Sequence, residues 1–575
     1  MKNQKIPQRR CAVAAAVACL AASASAVEID TGNPDWSVRW DNSVRASTKF
    51  RTESADPALK DSFRQVPTGA PPPAPASFSF PQALNFNAGD QNFQKKGLVS
   101  ARLDLLSEFD AVWRKDFGLR VSAAAWYDHK LHRKTKAYND PTIGQTPFDE
   151  VPDRTRKIAS GKAEVLAAFV FGGWGLDNGM KLTTRLGRHA LQYGESLFFG
   201  DNGIARAQGP IDIEKLLASP NAQFKEIVRP VPQLSAQLQI SPNLSLGGYV
   251  QFRWEEDRLA PSGSYFSTSN IPWGSRQPEF VNIPPPAPIA GSYVLTPGAD
   301  QKPRDSGQFG LQLKWRLDET DLGLYVARYH DKGGQLYGNL NPTATPSPFG
   351  TLPGEWFFRF PEDVKTVGVS ATRSLGDFNF AVEGSLRTDM PLWSTNMLYP
   401  GALGAPQPRH ATGRTAHLNL SALATFGPSF LARESILIAE LAWNRVLSKD
   451  DPDRTLDEGR TRDATALQFI FTPTYRQAIP GLDLSVPVGL RYVVDGHSAV
   501  TGASWGAKGS GNATVGVEGN YLGVWQFALN YTHYIGKAVP FVEYAPALTG
   551  GNPIYGKGNP LADRNFLALS LRRTF

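Results

Sequence analysis

The chain has 575 residues, of which 41% are hydrophobic and 20% are charged, and its formal net charge is +7. Four basic residues fall in an N-terminal segment that we expect to be removed, which lowers +7 to +3, so the charge favours neither nucleic acid nor an acidic partner. Both cysteines, Cys11 and Cys19, lie in that segment too, which leaves the rest of the chain without disulfide or thiol chemistry.

Residues 1–26 have the pattern of a secretory signal peptide. A basic stretch is followed by the short apolar run Cys11–Ala22 and by Ala24-Ser25-Ala26, a cleavage-site pattern. The Arg9-Arg10 pair leaves a twin-arginine signal open, and Cys19 leaves lipoprotein processing open, although the remainder of each motif is missing. We therefore expect residues 27–575 to be an exported domain.

After this segment, apolar and polar residues alternate with the period of two that β-strands impose. Clear examples are Leu244–Trp254, Gln308–Leu317 and Val524–Tyr534, and no apolar run approaches the ~20 residues of a membrane-spanning helix. Gly481–Tyr492 alternates as well, and Pro487 within it predicts a bulge because proline cannot donate to the ladder.

The connections between these strands alternate between short turns and long loops. Turns such as Ser241-Pro242-Asn243 and Ile479-Pro480-Gly481 contain residues that tight turns favour. The long loops run approximately over residues 52–96, 129–161, 191–230, 255–306, 331–363, 389–411, 447–463, 495–510 and 536–563. This sorting of loop lengths is typical of an outer-membrane barrel, with short periplasmic turns and long external loops.

The pattern predicts an all-β fold, a single transmembrane antiparallel β-barrel of about 18 strands in the outer membrane of a Gram-negative bacterium. The first strand would be Trp36–Lys49 and the last Arg564–Phe575, and the two would pair to close the barrel. Arg573 would then face lipid near the interface.

Aromatic residues near the strand ends support a barrel, because such residues form girdles at membrane interfaces. Trp36, Trp40, Trp254 and Tyr329 are examples. The alternative is a β-sandwich with ordinary core aromatics, since sandwich strands also alternate.

Charged residues on the faces opposite the apolar positions are candidates for the pore lining. They are Arg39, Arg45, Arg185, Lys314, Arg316, Glu383, Arg387 and Arg491. Both signs occur, whereas a dedicated anion or cation pore would line its constriction with one sign. The alternative is that opposing charges stiffen the wall and hold water.

The loop near 191–230 carries the most structure. Tyr193 and Glu195 follow a strand. Two stretches further on have helical character, Ile211–Leu217, which contains Asp212, and Asn221–Val228. We predict that this loop folds inward and narrows the lumen, with the three named side chains at the constriction. The alternative is an ordered cap on the outer rim.

Motifs of enzymes are missing from the sequence. It contains no HExxH, no GxSxG and no glycine-rich phosphate loop after a strand, and its histidines are scattered. We therefore predict no enzyme, no catalytic residue, no metal site and no cofactor.

Three stretches together resemble the proteobacterial domain-of-unknown-function family 1302. They are Trp36–Arg45, Arg185–Ser196, which carries Tyr193 where that family usually has tryptophan, and Gly209–Asp212. The resemblance covers essentially the whole mature chain and implies an outer-membrane-type barrel. Genes of this family tend to lie beside genes for an outer-membrane lipoprotein-like protein and a resistance-nodulation-division permease. The resemblance therefore implies these two proteins as partners. It also implies export, uptake or surface placement of hydrophobic molecules.

Two loops are Pro-rich and apolar, Pro71–Pro81 and Phe280–Ala290, and they could line an entry site for a hydrophobic solute. The alternative is that they pack on each other as inert lids. We predict a channel or transport component for small hydrophobic or amphipathic solutes. Its partners would be outer-membrane lipid, lipopolysaccharide and the barrel assembly machinery, without nucleic acid. The alternatives are a structural or adhesive barrel with a closed lumen and a lipid-acting enzyme.

Overall fold

Eighteen strands hydrogen-bond in a closed antiparallel ring, each to its neighbour in sequence and the last to the first. The computed structural model describes residues 27–60, 87–132, 155–219, 223–269, 279–283, 291–347, 352–394, 398–400, 410–501, 505–543 and 554–575. The signal-peptide prediction for 1–26 and the apolar loop 71–81 lie outside these ranges. No helix in the described ranges is long and apolar enough to cross a membrane.

The strands are numbered in chain order, and β15 has two halves. They are β1 Trp36–Arg51, β2 Gly97–Trp113, β3 Phe117–Asp128, β4 Gly161–Gly175, β5 Lys181–His189, β6 Val231–Ser241, β7 Leu244–Gln251, β8 Gln308–Leu317, β9 Thr320–Tyr329, β10 Val364–Leu375, β11 Phe378–Pro391, β12 Thr412–Phe426, β13 Glu434–Lys449, β14 Asp463–Ile479, β15 Leu482–Ser485 with Val488–Gly496, β16 Gly511–Tyr521, β17 Trp525–Ile535 and β18 Phe566–Thr574. The predicted all-β barrel and its strand number are confirmed.

The two faces of the wall differ as the alternation predicts. On β8, Leu311 is 50% exposed on the outside and Gln312 is 7% exposed on the inside. Phe309, Trp315 and Leu317 share the outer face and are also exposed. An outward apolar face and a polar inner face are the reverse of a soluble domain, which explains why polar wall residues such as Gln312 are buried.

The barrel closes between β1 and β18, with Arg51 opposite Phe566 and Ser43 opposite Thr574. The short strand Val27–Ile29 continues the same edge, because Val27 pairs with Trp40 of β1. Arg573, predicted to face lipid near the interface, shares the outer face of β18 with the exposed Leu569 and Leu571. Its side chain is covered there, because its guanidinium lies 5.0 Å from the ring of its cross-strand partner Trp525.

The bulge predicted at Pro487 is wrong. The strand is interrupted there, but Ser485 and Val488 keep the same register against β14 and β16, so no extra residue is inserted. Val486 N–H still donates to the Pro473 carbonyl at 3.0 Å, and the Pro487 carbonyl accepts from Gly516 at 3.0 Å. The neighbouring strands therefore remain bonded across the break, and the ring stays closed.

The long loops contain a sheet that the sequence did not predict. Its five strands run in the order Leu398–Pro400, Gln335–Leu340, Leu352–Arg359, Gly291–Pro297 and Glu279–Ile283. Two predicted girdle residues are corrected here: Tyr329 is buried, and Trp254 packs on Phe360 at 4.7 Å and donates to the Asp331 carbonyl. Both side chains serve the loop core, because they lie where a strand enters this sheet region.

Candidate functional site

The connection between β5 and β6 is here called the inner segment (residues 190–230), and its described parts, 190–219 and 223–230, lie inside the barrel. It contains a short 3-10 helix, Ile204–Ala207, and two short α-helices, Ile213–Ala218 and Phe224–Ile227. Residues 198–211 are all buried. The two helices agree with the helical stretches predicted at 211–217 and 221–228.

A carboxylate on the wall holds the start of the inner segment. Glu440 on β13 accepts hydrogen bonds at one oxygen from the N–H groups of Leu197, Phe198 and Phe199, at 3.2, 2.5 and 2.9 Å. Its other oxygen accepts from Asn419 on β12 at 2.8 Å. Three convergent backbone donors are what a buried carboxylate needs to remain without a basic partner.

A second wall carboxylate, Glu383 on β11, repeats the arrangement. Its oxygens accept from the N–H groups of Glu195 and Ile204, both at 2.5 Å. The segment passes so close that a Cβ on Gly194 or Gly203 would overlap the Glu383 carboxylate, and Gly194 has a φ of +87°. Only glycine allows this approach at a positive φ.

The third anchor is a wall arginine. Arg387 on β11 donates to the carbonyls of Asp201, Asn202 and Gly203, at 3.3, 2.7 and 2.8 Å. Asn202 is fully buried, and its side chain donates to Asn419 at 2.8 Å. The Asn202 side-chain oxygen accepts from Asn444 at 3.1 Å. The inner segment is thus hydrogen-bonded to three adjacent strands, β11, β12 and β13.

Tyr193, near the start of the inner segment, lies among wall aromatics of β7 and β9. Its ring centroid is 5.6 Å from that of Tyr249 and 6.5 Å from that of Tyr325. Burial raises the pKa of Tyr193 to about 12. Glu195, two residues on, pairs with Lys314 on β8 at 3.1 Å.

The far end of the inner segment has its own ionic cluster. Asp212 caps the helix Ile213–Ala218 by accepting from Lys215 N–H at 2.9 Å, and it pairs with Arg258 at 3.0 Å. Burial lowers the pKa of Lys215, and the Arg45 guanidinium on β1 acts in the same direction. Arg45 itself pairs with Asp104 of β2 at 3.4 Å, and its charge is close enough to act on Lys215.

A cavity of about 280 Å³ lies between the inner segment and the long-loop end of the barrel. Leu216, Phe541 and Val542 contribute apolar walls. Arg206 also lines it and pairs with Asp257 at 2.9 Å and with Asp331 at 3.5 Å. The cavity therefore combines apolar surface with buried charge.

The structure brings together most of the predicted pore residues. Tyr193, Glu195, Lys314, Glu383 and Arg387 meet around the inner segment. Arg491 on β15 contacts the same segment, since its guanidinium is 4.6 Å from the Phe199 ring, and it lines the cavity.

Three predicted residues lie apart from this group. Arg39 pairs with Asp41 at 2.6 Å, and Arg316 pairs with Asp321 at 2.7 Å at a short turn. Arg185 lies over the Phe169 ring at 5.9 Å. These three residues contact other residues of the barrel wall. This agrees with the alternative that charged residues on the inner face stiffen the wall.

Sequence reasoning missed several residues of the site. Glu440 lies in the nearly continuous apolar run Ser435–Trp443. A single carboxylate at an inward position of such a strand was the sequence signal that could have identified it. Asn202 and Arg460 lie in loops without periodicity, so the sequence carried no comparable signal for them.

The comparisons with solved structures find outer-membrane proteins. OmpF of Salmonella typhi, solved in complex with daunomycin, is 8% identical; the match covers 96% of this chain and 100% of that one, with a TM-score of 0.36. OccAB1 of Acinetobacter baumannii is 10% identical over 94% and 96% of the two chains, with a TM-score of 0.38. OccK2 (OpdF) of Pseudomonas aeruginosa, solved with glucuronate, is 10% identical over 94% and 98%, with a TM-score of 0.34.

No curated protein sequence matches this chain. A family model does, from residue 9 to residue 575, which includes β1, the inner segment and β18. The resemblance predicted from Trp36–Arg45 and Arg185–Ser196 is thereby confirmed, and the chain belongs to the family described as Protein of unknown function (DUF1302).

Proposed function

We propose that this protein is an outer-membrane channel for small amphipathic solutes, in which the inner segment narrows the lumen. The observation that carries the proposal is the anchoring of that segment to β11, β12 and β13 by Glu383, Asn419, Glu440 and Arg387. A connection held at such depth sets the cross-section through which a solute passes.

Placement in a membrane is supported by the outer face of the wall. Large apolar side chains that are at least 50% exposed recur on different strands, among them Val165, Leu324, Val369 and Leu386. Such a surface is unfavourable in water and favourable in hydrocarbon, by roughly 25 cal/mol for each Å². The proposal therefore includes lipid and lipopolysaccharide as its surroundings, and the assembly machinery as the route to them.

The proposal for an amphipathic solute is supported by the cavity beside the inner segment. Its apolar residues would accept an organic body, and its buried charges would accept a polar group. The lipoprotein and permease partners belong to the same proposal, as donors or receivers of the solute, and no catalytic step is part of it.

The experiment is solute flux in proteoliposomes. The protein, refolded in detergent and checked for heat-modifiable gel mobility, is reconstituted and given p-toluenesulfonate, which stays ionised and crosses lipid slowly. We expect saturable flux of p-toluenesulfonate that exceeds the flux of a sugar of similar size. Flux no greater than in empty liposomes would favour the second candidate, a barrel closed by its buried inner segment.

A further inference from the structure

One buried arginine of the cavity differs from its neighbours. Arg460 lies in the loop between β13 and β14, lines the cavity and is 8% exposed. Its guanidinium carbon is 4.3 Å from the Trp393 ring centroid and 4.8 Å from that of Tyr555. Two aromatic rings thus hold the cation in place at the cavity wall.

The backbone around Arg460 is fixed by a carboxylate three residues earlier in the chain. Asp457 accepts hydrogen bonds from the N–H groups of Gly459 and Tyr555, at 2.7 and 3.1 Å. A Cβ on Gly459 would overlap the Tyr555 carbonyl. Asp457 therefore holds the turn and lies beyond ion-pair distance of the Arg460 guanidinium.

Among the residues that the structure describes, Arg460 forms no direct ion pair, and the Asp457 charge acts on it only through space. One nitrogen donates to the Ser498 carbonyl at 3.0 Å, and Nε has no hydrogen-bond partner there. Burial lowers the pKa of Arg460 to about 10, which leaves the group charged at neutral pH. Arg206, in the same cavity, has two carboxylates instead.

We propose that Arg460 binds the carboxylate of an apolar monocarboxylate, whose hydrocarbon body lies in the cavity against Trp393 and its apolar neighbours. This inference rests on the proposed function and names its solute class. A guanidinium offers paired N–H donors that match a carboxylate, and burial strengthens the interaction because water does not compete.

The apolar part of the cavity sets the second requirement. Leu336, Phe541 and Val542 line it near Trp393, and Phe541 is 6.5 Å from the Trp393 ring. A short polar acid such as acetate would fill the anion position without burying hydrocarbon. A neutral amide of the same chain length would bury hydrocarbon but leave the arginine without a counter-ion.

The test is calorimetric binding of octanoate and of octanamide to the full-length protein in lipid nanodiscs, with empty nanodiscs as the blank. We expect octanoate to bind at least 10-fold more tightly than octanamide. Arg460→Gln should remove that preference and leave octanamide binding within about two-fold. Arg460→Lys should keep part of the preference for octanoate, since lysine carries the positive charge but lacks the paired, coplanar N–H donors of a guanidinium.

The matched control is Arg454→Gln, because Arg454 lies in the same loop, pairs with Asp451 at 3.4 Å and does not line the cavity. This variant should bind like the wild type. Equal binding of octanoate and octanamide, or the same loss in both glutamine variants, would overturn the inference. Arg460-dependent binding without p-toluenesulfonate flux would refute the channel and leave the binding site in place.

Discussion

Glu440 accepts a hydrogen bond from the backbone N–H of Phe199 at 2.9 Å, inside the barrel and 241 residues away in sequence. This contact ties the inner segment to β13, while Glu383 and Arg387 tie it to β11. Removing an acceptor from three buried donors costs more than one hydrogen bond, because each donor is left without water.

Glu440→Gln should loosen the start of the inner segment. The amide keeps one acceptor and turns an NH₂ group toward a donor, so we expect a local loss of about 1–3 kcal/mol. Hydrogen–deuterium exchange of the amides at 197–199 should therefore accelerate about 10-fold or more. Glu434→Gln, on the same strand and in an exposed pair with Arg476, should leave those amides unchanged.

Gly194→Ala tests the close approach to Glu383. Alanine there adds a clash with a carboxylate to the cost of a positive φ, whereas Gly376 has a φ of +59° and open space around it. Gly376→Ala should lower the stability of the folded protein by about 1 kcal/mol. Gly194→Ala should lower it by clearly more. Trypsin cleavage within the inner segment measures the difference, and equal protection in both variants would refute the steric account.

Asp90→Asn tests the buried ionic cluster at the barrel seam. Asp90 pairs with Arg51 of β1 at 3.1 Å and with Arg564 at 2.7 Å, all without exposed side chains. Asp563 pairs with the same two arginines at 2.8 and 3.6 Å, so the variant leaves two buried cations with one carboxylate and should cost up to about 3–5 kcal/mol in urea unfolding. The exposed pair of Asp495 and Lys508 supplies the control, since Asp495→Asn should change stability by less than about 1 kcal/mol.

The loop turn that holds Arg460 should weaken in acid. Burial lowers the pKa of His497 to about 3, and the nearby Arg460 charge acts in the same direction. The folded turn therefore binds fewer protons than the open turn below about pH 6.5, and its stability falls by about 1.4 kcal/mol for each pH unit below that value.

His497→Gln removes this dependence, because glutamine does not titrate. Exchange of the amides at 459–461 should be similar in the two proteins at pH 7.5 and roughly 30-fold faster in the wild type at pH 5. His330 and His410 remain in both proteins, so their contributions cancel. If the ratio of the wild-type exchange rate to the variant exchange rate is the same at pH 7.5 and pH 5, protonation of His497 does not weaken the turn.

The barrel could be predicted from the sequence because each wall strand is recognised from the alternation of its own residues. Leu311 and Gln312 face opposite sides for a local reason, and closure follows from pairing such strands in order. The positions of Glu383 and Arg387 on the inner face were predictable in the same way. Their partners were not, because backbone groups of a distant loop leave no trace in strand periodicity.

The loop sheet and the Arg460 turn were not predictable for a related reason. Strands such as Gly291–Pro297 and Leu352–Arg359 are short, contain glycine or proline, and pair in parallel across about 60 residues of sequence. Trp254 and Tyr329 were assigned to a girdle because their positions at strand ends cannot distinguish lipid from a loop core.

Single-channel conductance tests the central claim most directly. His189 and Val231 are cross-strand partners, so a short glycine turn can replace residues 192–230 without separating β5 from β6. We predict a small conductance for the wild type in planar bilayers and a several-fold larger one for the replacement, with heat-modifiable gel mobility retained. Equal conductance of the two folded proteins would contradict the account that the inner segment narrows the lumen.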